Sequence, residues 1–207
     1  MTANALILGG VAVLALAWGG PLPGLVPESF AAHMTLHMVV VGIGAPLVAV
    51  GLALRLKDSR RLILLSPAVP AVLTVLDLVV VWGWHAPALH HLTRSVPAVL
   101  AVEQASFALV TLGLWVTAFA GPALAGALAL FLTSMHMTLL GALLGLGGRN
   151  LYPGHDTGGE VFFGPICLTP VADQHVGGAV MLGVGGVVYL IAGLWLVSRL
   201  LRTPVAP

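Results

Sequence analysis

The sequence has few charged residues for its length. Only 7% of its 207 residues are charged, whereas a soluble domain carries about a quarter. So few charges cannot cover a water-facing surface, and this excludes a soluble protein. The net charge is only +1, and no basic face is present, which excludes a nucleic-acid-binding protein.

Cysteine is almost absent as well. Cys167 is the single cysteine of the chain, which excludes an internal disulfide, a CxxC metal site and a thiolate-rich zinc site. The HExxH pattern of many metalloproteases is also missing from the sequence. A catalytic zinc centre of that kind is therefore not expected.

Long apolar runs are what the sequence does contain. The mean hydropathy is +1.07, and a membrane span needs about 20 apolar residues. We predict an all-α, polytopic transmembrane bundle forming one integral membrane domain over residues 1–207. Six spans are expected at about 3–19, 29–54, 61–82, 96–119, 122–146 and 175–200. The first run has no Lys or Arg before it, so we interpret it as a retained span rather than a cleaved signal.

Positive charges give the expected orientation. They cluster between the second and third spans and at the C-terminal end: Arg55, Lys57, Arg60, Arg61, Arg199 and Arg202. The positive-inside rule places these residues in the cytoplasm, and with an even number of spans both termini lie there. All eight histidines then fall in the outer half. We therefore expect a site that faces the periplasm from a bacterial inner membrane.

Two histidines mark the beginning of the second span. His33 and His37 are four residues apart, so a helix places both imidazoles on one face, and Met34 and Met38 repeat this spacing on an adjacent stripe. Polar side chains at membrane depth are functional candidates because leaving them unpaired is unfavourable. Imidazole and thioether groups together suit copper, and the soft thioethers favour Cu(I). The alternative is that the histidines pair with neighbouring helices and the methionines only fill the core.

Other polar residues of the outer half extend this predicted copper site. As further ligands we expect His85, His136, Asp173, His175 and Met181. Asp77 and Glu103 are expected to accept hydrogen bonds from ligating histidines and so to orient them. The remaining histidines, His90, His91 and His155, are expected to be solvated residues of outer loops.

Three other functions remain open at the level of the sequence. A b-type haem protein would use two axial histidines from different helices, for which His37 and His136 lie at similar predicted depth. A membrane metalloenzyme would use Glu103 as general base. A metal permease would need polar residues that continue to the cytoplasmic side, where the predicted helices are apolar.

Five motifs in order resemble the CtaG family of cytochrome c oxidase assembly factors. They are HMTLHMVVVGIGAPLVAVG, WGWHAPALH, VEQASFALVTLGLWV, LLGALLGLGGRNLYPGH and ADQHVGGAVML. The similarity covers most of the chain from Glu28 onward. Two positions depart from the family pattern. Gln104 stands where many members carry a second histidine beside the glutamate, and His175 stands where a second glutamine is usual.

The resemblance implies a membrane protein that handles copper during maturation of the oxidase's copper centres. It implies site roles for His33, His37, His85, Glu103, Asp173 and Met181. The implied partners, besides membrane lipid, are a periplasmic copper carrier that supplies the ion and a cytochrome c oxidase subunit that receives it. The expected process is ligand exchange rather than enzymatic catalysis.

Overall fold

The computed structural model of the chain describes residues 2–56, 66–152, 161–163 and 166–202. Its helices are α1 (Ala3–Gly19), α2 (Leu22–Leu25), α3 (Phe30–Val39), α4 (Ala45–Leu56), α5 (Ala68–Trp84), α6 (Pro87–Ser95), α7 (Pro97–Ala120), α8 (Ala123–Gly145), α9 (Pro170–Val180) and α10 (Val187–Arg202). Two π-helical segments, Val40–Gly44 and Met181–Gly186, join α3 to α4 and α9 to α10. Strands β1 (Val161–Phe163) and β2 (Ile166–Leu168) pair antiparallel in a short hairpin.

Five helical segments are long and apolar enough to cross a membrane. They are Ala3–Leu25, Phe30–Leu56, Pro97–Ala120, Ala123–Gly145 and Pro170–Arg202. Helix α5 meets the same criterion together with α6, from which it is separated by a bend of 72°. The prediction of an all-α membrane protein with about six spans is thus confirmed.

One predicted boundary differs clearly from the observed one, and another lies outside the described residues. The last span begins at Pro170 rather than at residue 175, because the Thr169 hydroxyl caps the helix by accepting a hydrogen bond from the N–H of Ala172 (3.3 Å). Proline is favoured in the first turn, where its missing N–H has no helical partner. The third span is described from Ala68 onward, and its predicted start at 61 lies outside the described residues.

The polar stretch after α5 was the main error in the prediction. We expected a loop there, whereas residues Pro87–Ser95 form helix α6, with proline in its first turn. Its buried side is polar and consists of His90, Thr93 and Arg94, while Leu89 and Leu92 are exposed. In a membrane protein this reversed pattern is favourable, because leucine is well accommodated by lipid whereas a polar side chain that faces hydrocarbon is not.

The interior of the bundle contains two apolar clusters. One surrounds α3 and includes Phe30, Met34 and Met181. The other includes Leu114, Trp115, Leu130, Tyr189 and Leu196. Most of the candidate ligand residues lie within or beside the first cluster. The second cluster fills the opposite end of the bundle with apolar side chains.

Candidate metal centre

The N-terminus of α3 is held by hydrogen bonds from α9. The Ser29 hydroxyl donates to Asp173 Oδ1 (2.7 Å), and the Asp173 carboxylate accepts from the backbone N–H groups of Phe30 (2.6 Å) and Ala31 (3.2 Å). A carboxylate is favoured at a helix N-terminus because it satisfies N–H groups that have no helical partner. The sequence predicts Asp173 as a metal ligand. In the structure it fixes where α3 begins, and therefore where the histidines of α3 lie.

Three buried side chains form a compact group of candidate metal ligands. His33, His37 and Glu103 offer ligand atoms that all lie within 4.8 Å of one another. The His33 Nε2 atom is 2.9 Å from Glu103 Oε2, and the His37 Nε2 atom is 3.6 Å from Glu103 Oε1. His33 and His37 lie side by side on one face of the helix, as predicted, with imidazole centroids 4.3 Å apart and the ring planes tilted by 53°. Glu103 was expected only to orient a histidine, but its carboxylate faces both imidazoles directly.

Gln104 holds the other edge of His37. The Gln104 Nε2 group donates to His37 Nδ1 at 2.8 Å. In the opposite amide orientation, the Gln104 oxygen would accept a hydrogen bond from a protonated His37 Nδ1. The lone pair of His37 would then lie on Nε2, where it is available to a metal ion. This is the position at which the resemblance led us to expect a histidine.

A small cavity borders His37 on the side of the methionines. Its volume is about 10 Å³, and it is lined by His37, Met38, Val41, Val81, His85, Phe107, Met137 and Met181. A space of this size holds about one water molecule or ion. The cavity therefore brings together four predicted ligands: His37, His85, Met38 and Met181. Met137, which neighbours His136 in the sequence, also faces this space.

The imidazole of His85 is oriented towards the sulfur atom of Met34. Its Nδ1 lies 2.7 Å from the carbonyl oxygen of Val81, which can only accept, so Nδ1 carries the proton. In the neutral ring Nε2 then has the lone pair, and this atom lies 3.3 Å from Met34 Sδ. The Tyr152 hydroxyl donates to the backbone carbonyl of His85 at 2.9 Å, and burial raises the pKa of this phenol. A tyrosine that stays neutral thus fixes the backbone at His85.

His90 is the residue that sequence reasoning missed. We predicted a solvated loop position, but the side chain is buried. It stacks on His33 with ring centroids 4.7 Å apart, and it contacts Tyr152 at 4.2 Å. Neither of its ring nitrogens has a hydrogen-bond partner in the described part of the chain. The spacing of His90, Thr93 and Arg94 at i, i+3 and i+4 is the sequence signal that could have indicated one buried face.

Asp77 and His136 form a second buried pair. The His136 Nε2 atom lies 3.1 Å from Asp77 Oδ2. The structure does not place His136 in the group of His33, His37 and Glu103. Asp77 thus has the predicted kind of role, as the partner of a histidine, but this histidine lies apart from the other predicted ligands.

The remaining predicted residues lie around the rim of the site. His175 Nε2–H donates to the carbonyl oxygen of Gly147 at 2.9 Å, so this histidine holds the connection after α8. The neighbouring Gln174 does the same, because its amide accepts from the Leu151 N–H at 2.8 Å. His91 is exposed, and His155 lies outside the described residues.

Comparison with known proteins gives one match. No curated protein and no solved structure matches the chain significantly. The family model described as "Cytochrome c oxidase caa3 assembly factor (Caa3_CtaG)" matches residues 4–203. This match extends over nearly the whole chain, including every span and every residue of the candidate site. The chain belongs to the family of cytochrome c oxidase caa3 assembly factors.

Proposed function

We propose that this protein binds Cu(I) at one end of its helical bundle and delivers it to a copper centre of cytochrome c oxidase. The observation that carries the proposal is the position of His37. One side of His37 faces Glu103 and His33. The other side faces the cavity that is lined by Met38 and Met181. Imidazole and thioether ligands in one buried site are typical of copper, and thioethers favour its reduced state.

Delivery of an ion requires that it can leave its ligands. His37 borders both the His33–Glu103 group and the thioether cavity, so a copper ion can change donor sets while it keeps one ligand. His85, with its lone pair directed towards Met34, offers a further imidazole on the cavity side. The copper ion is the cargo in this process, and the chain performs ligand exchange without a catalytic step.

The proposed direction of transfer is from the periplasm of the bacterial inner membrane. The described cations Arg55, Arg199 and Arg202 lie near the ends of α4 and α10, away from the histidines. The positive-inside rule favours a cytoplasmic location for them, with both termini on that side. A periplasmic copper carrier would then load the site, and an oxidase subunit docked on the same surface would receive the ion.

The other functions have less support from the geometry. The cavity beside His37 has a volume of about 10 Å³, whereas pockets for cofactor-sized ligands usually exceed about 300 Å³. A haem bound between His37 and His136 would therefore need extensive rearrangement. A permease path would have to continue through the cluster of Leu114, Trp115 and Leu130, which is apolar.

The proposal is tested by measuring copper content and the optical spectrum of the detergent-purified protein after loading under reducing conditions. The test variant is H33A/H37A. The control variant H91A removes an exposed imidazole outside the His33–His37–Glu103 group. We expect stoichiometric copper in the parent and the control, and its loss in the test variant.

Two results would contradict the copper proposal. A Soret band in the parent protein would indicate haem as the bound group. The absence of copper from the parent after reductive loading would leave the histidines with a packing role only.

A further inference from the structure

An open apolar groove of about 470 Å³ lies beside the candidate metal centre. It runs between the connection from α1 to α3 and the first turns of α7. Its lining includes Trp18, Val26, Leu36, Arg94, Ala101 and Gln104. Ala101 on α7 lines the groove and is exposed. Its small side chain leaves this space open.

Arg94 is the only charged residue among the described residues that line this groove. It is only 7% exposed. One of its terminal nitrogens, Nη2, donates to the carbonyl oxygen of Pro27 at 2.8 Å. Its buried Nε atom has no hydrogen-bond partner within the described part of the chain. A guanidinium stays cationic in proteins, and a buried charge without a counter-ion is unfavourable.

Arg94 is attracted by the charge of Asp173 only at a distance. It forms no ion pair with any carboxylate in the described ranges. Asp173 lies across a small crevice from it, but both oxygens of that carboxylate are engaged by Ser29 and the N-terminus of α3. The groove therefore presents a guanidinium that has no direct ion pair among the described residues and an unused Nε donor, to which an anion can bind.

From the bend between α5 and α6 we infer that this charge lies at the level of the lipid headgroups. Helix α6 turns away from the membrane-crossing α5 by 72°, so it runs closer to the plane of the membrane than to its normal. The groove then follows α7 from its start at Pro97 to Gln104, a distance of about 10 Å into the hydrocarbon at 1.5 Å per residue. A cation at the membrane interface matches the phosphate of a phospholipid headgroup, and the apolar groove below it matches an acyl chain.

We propose that this groove binds one anionic phospholipid, with its headgroup phosphate on Arg94 and an acyl chain along α7 towards Gln104. Arginine binds phosphate well because its planar fork offers several N–H donors to the phosphate oxygens. Gln104 lines the end of the groove and donates to His37, so the bound chain covers the side of the bundle next to the histidines. The binding does not depend on copper and is measured without it.

The test is native mass spectrometry of the metal-free protein released from nanodiscs that contain equal amounts of phosphatidylglycerol and phosphatidylcholine. Variant R94Q removes the charge, and variant A101F fills the groove. Matched controls are R149Q, at an exposed arginine, and V102F, at a lipid-facing position outside the groove that is 60% exposed. Thermal unfolding of every variant verifies that the fold is retained.

We expect the parent and both controls to retain one phosphatidylglycerol in preference to phosphatidylcholine. R94Q should lower that preference about tenfold, as expected for the loss of a charge-assisted hydrogen bond, and A101F should lose the bound lipid. Equal retention of the two lipids by the parent would overturn the proposal. So would unchanged selectivity in R94Q, or a lipid that persists in a folded A101F variant.

Discussion

Glu103 is the residue on which the candidate site depends most directly. Its two carboxylate oxygens lie 2.9 Å and 3.6 Å from the Nε2 atoms of His33 and His37. It is buried, so its charge acts in a medium that screens it poorly. One carboxylate thus orients two imidazoles and can itself contribute an oxygen ligand.

We predict that E103Q binds Cu(I) more weakly than the parent. The amide keeps the shape of the side chain but removes the negative charge that faces both histidines, and loss of such a partner typically lowers metal affinity by about 10–100-fold. Competition for Cu(I) with a chromophoric chelator measures this difference.

The control for E103Q is D77N, which removes a buried carboxylate that pairs with His136 instead. We expect the affinity of D77N to equal that of the parent. If D77N weakens copper binding as much as E103Q does, both carboxylates act through general stability and the role of Glu103 is not specific.

At the scale of helices, two π-helical segments flank the thioether cavity. One, Val40–Gly44, follows Met38, and the other begins at Met181. A π-helical turn is wider than an α-helical turn and is often found at functional sites. The two segments approach closely, since a Cβ on Gly42 would lie 2.8 Å from Val184 Cγ1. Glycine at this contact allows the two widened turns to pack together beside the ligands.

A second close approach joins α8 to α9, and it yields a prediction about stability. A Cβ on Gly178 would collide with the backbone of Gly145 and would lie 2.8 Å from the Gly141 carbonyl oxygen. Backbone atoms cannot move aside by changing a rotamer, so we expect G178A to lower the free energy of unfolding by about 1–3 kcal/mol. Thermal or denaturant unfolding in detergent measures the change.

The matched control for G178A comes from the same interface. A Cβ on Gly145 would have its nearest neighbours at 3.7 Å, an ordinary van der Waals distance. We therefore expect G145A to unfold like the parent. Equal destabilisation by both variants would mean that this interface requires glycine for a reason other than the space around each Cβ.

At the scale of the whole molecule, the polar chemistry lies towards one end of the bundle. The group of His33, His37 and Glu103 and the buried face of α6 lie there, and the apolar cluster around Tyr189 closes the other end. This asymmetry suits exchange of an ion with partners on one side of the membrane.

The single cysteine provides a test of the proposed orientation. Cys167 lies on β2 and is exposed, on the same side of the membrane as the proposed copper site. We predict that a membrane-impermeant maleimide labels it in spheroplasts. The variant C167S/R202C moves the thiol to the end of α10 and should be labelled only in inverted vesicles. The reverse pattern would place the candidate metal centre on the cytoplasmic side.

The sequence by itself determined the class of fold and the placement of two candidate ligands on one helix face. Apolar runs of about 20 residues specify membrane-spanning helices whatever their neighbours, because lipid offers no hydrogen-bond partners to the backbone. The adjacency of His33 and His37 likewise follows from helical geometry within one segment. Both are local properties, and both are present in the structure.

The tertiary structure alone decided which distant side chains meet. From the sequence, Asp173 could serve equally well as a ligand or as a helix cap. The packing of α9 against the N-terminus of α3 makes it the cap. The polar stretch around His90 indicates a solvated loop from the sequence alone. In the structure this stretch is helix α6, whose polar face packs against the bundle. The preference of lipid for leucine reverses the amphipathic rule learned from soluble proteins. The spacing of His90, Thr93 and Arg94 groups them on one face of α6, but only the packing of α6 shows that this face is buried.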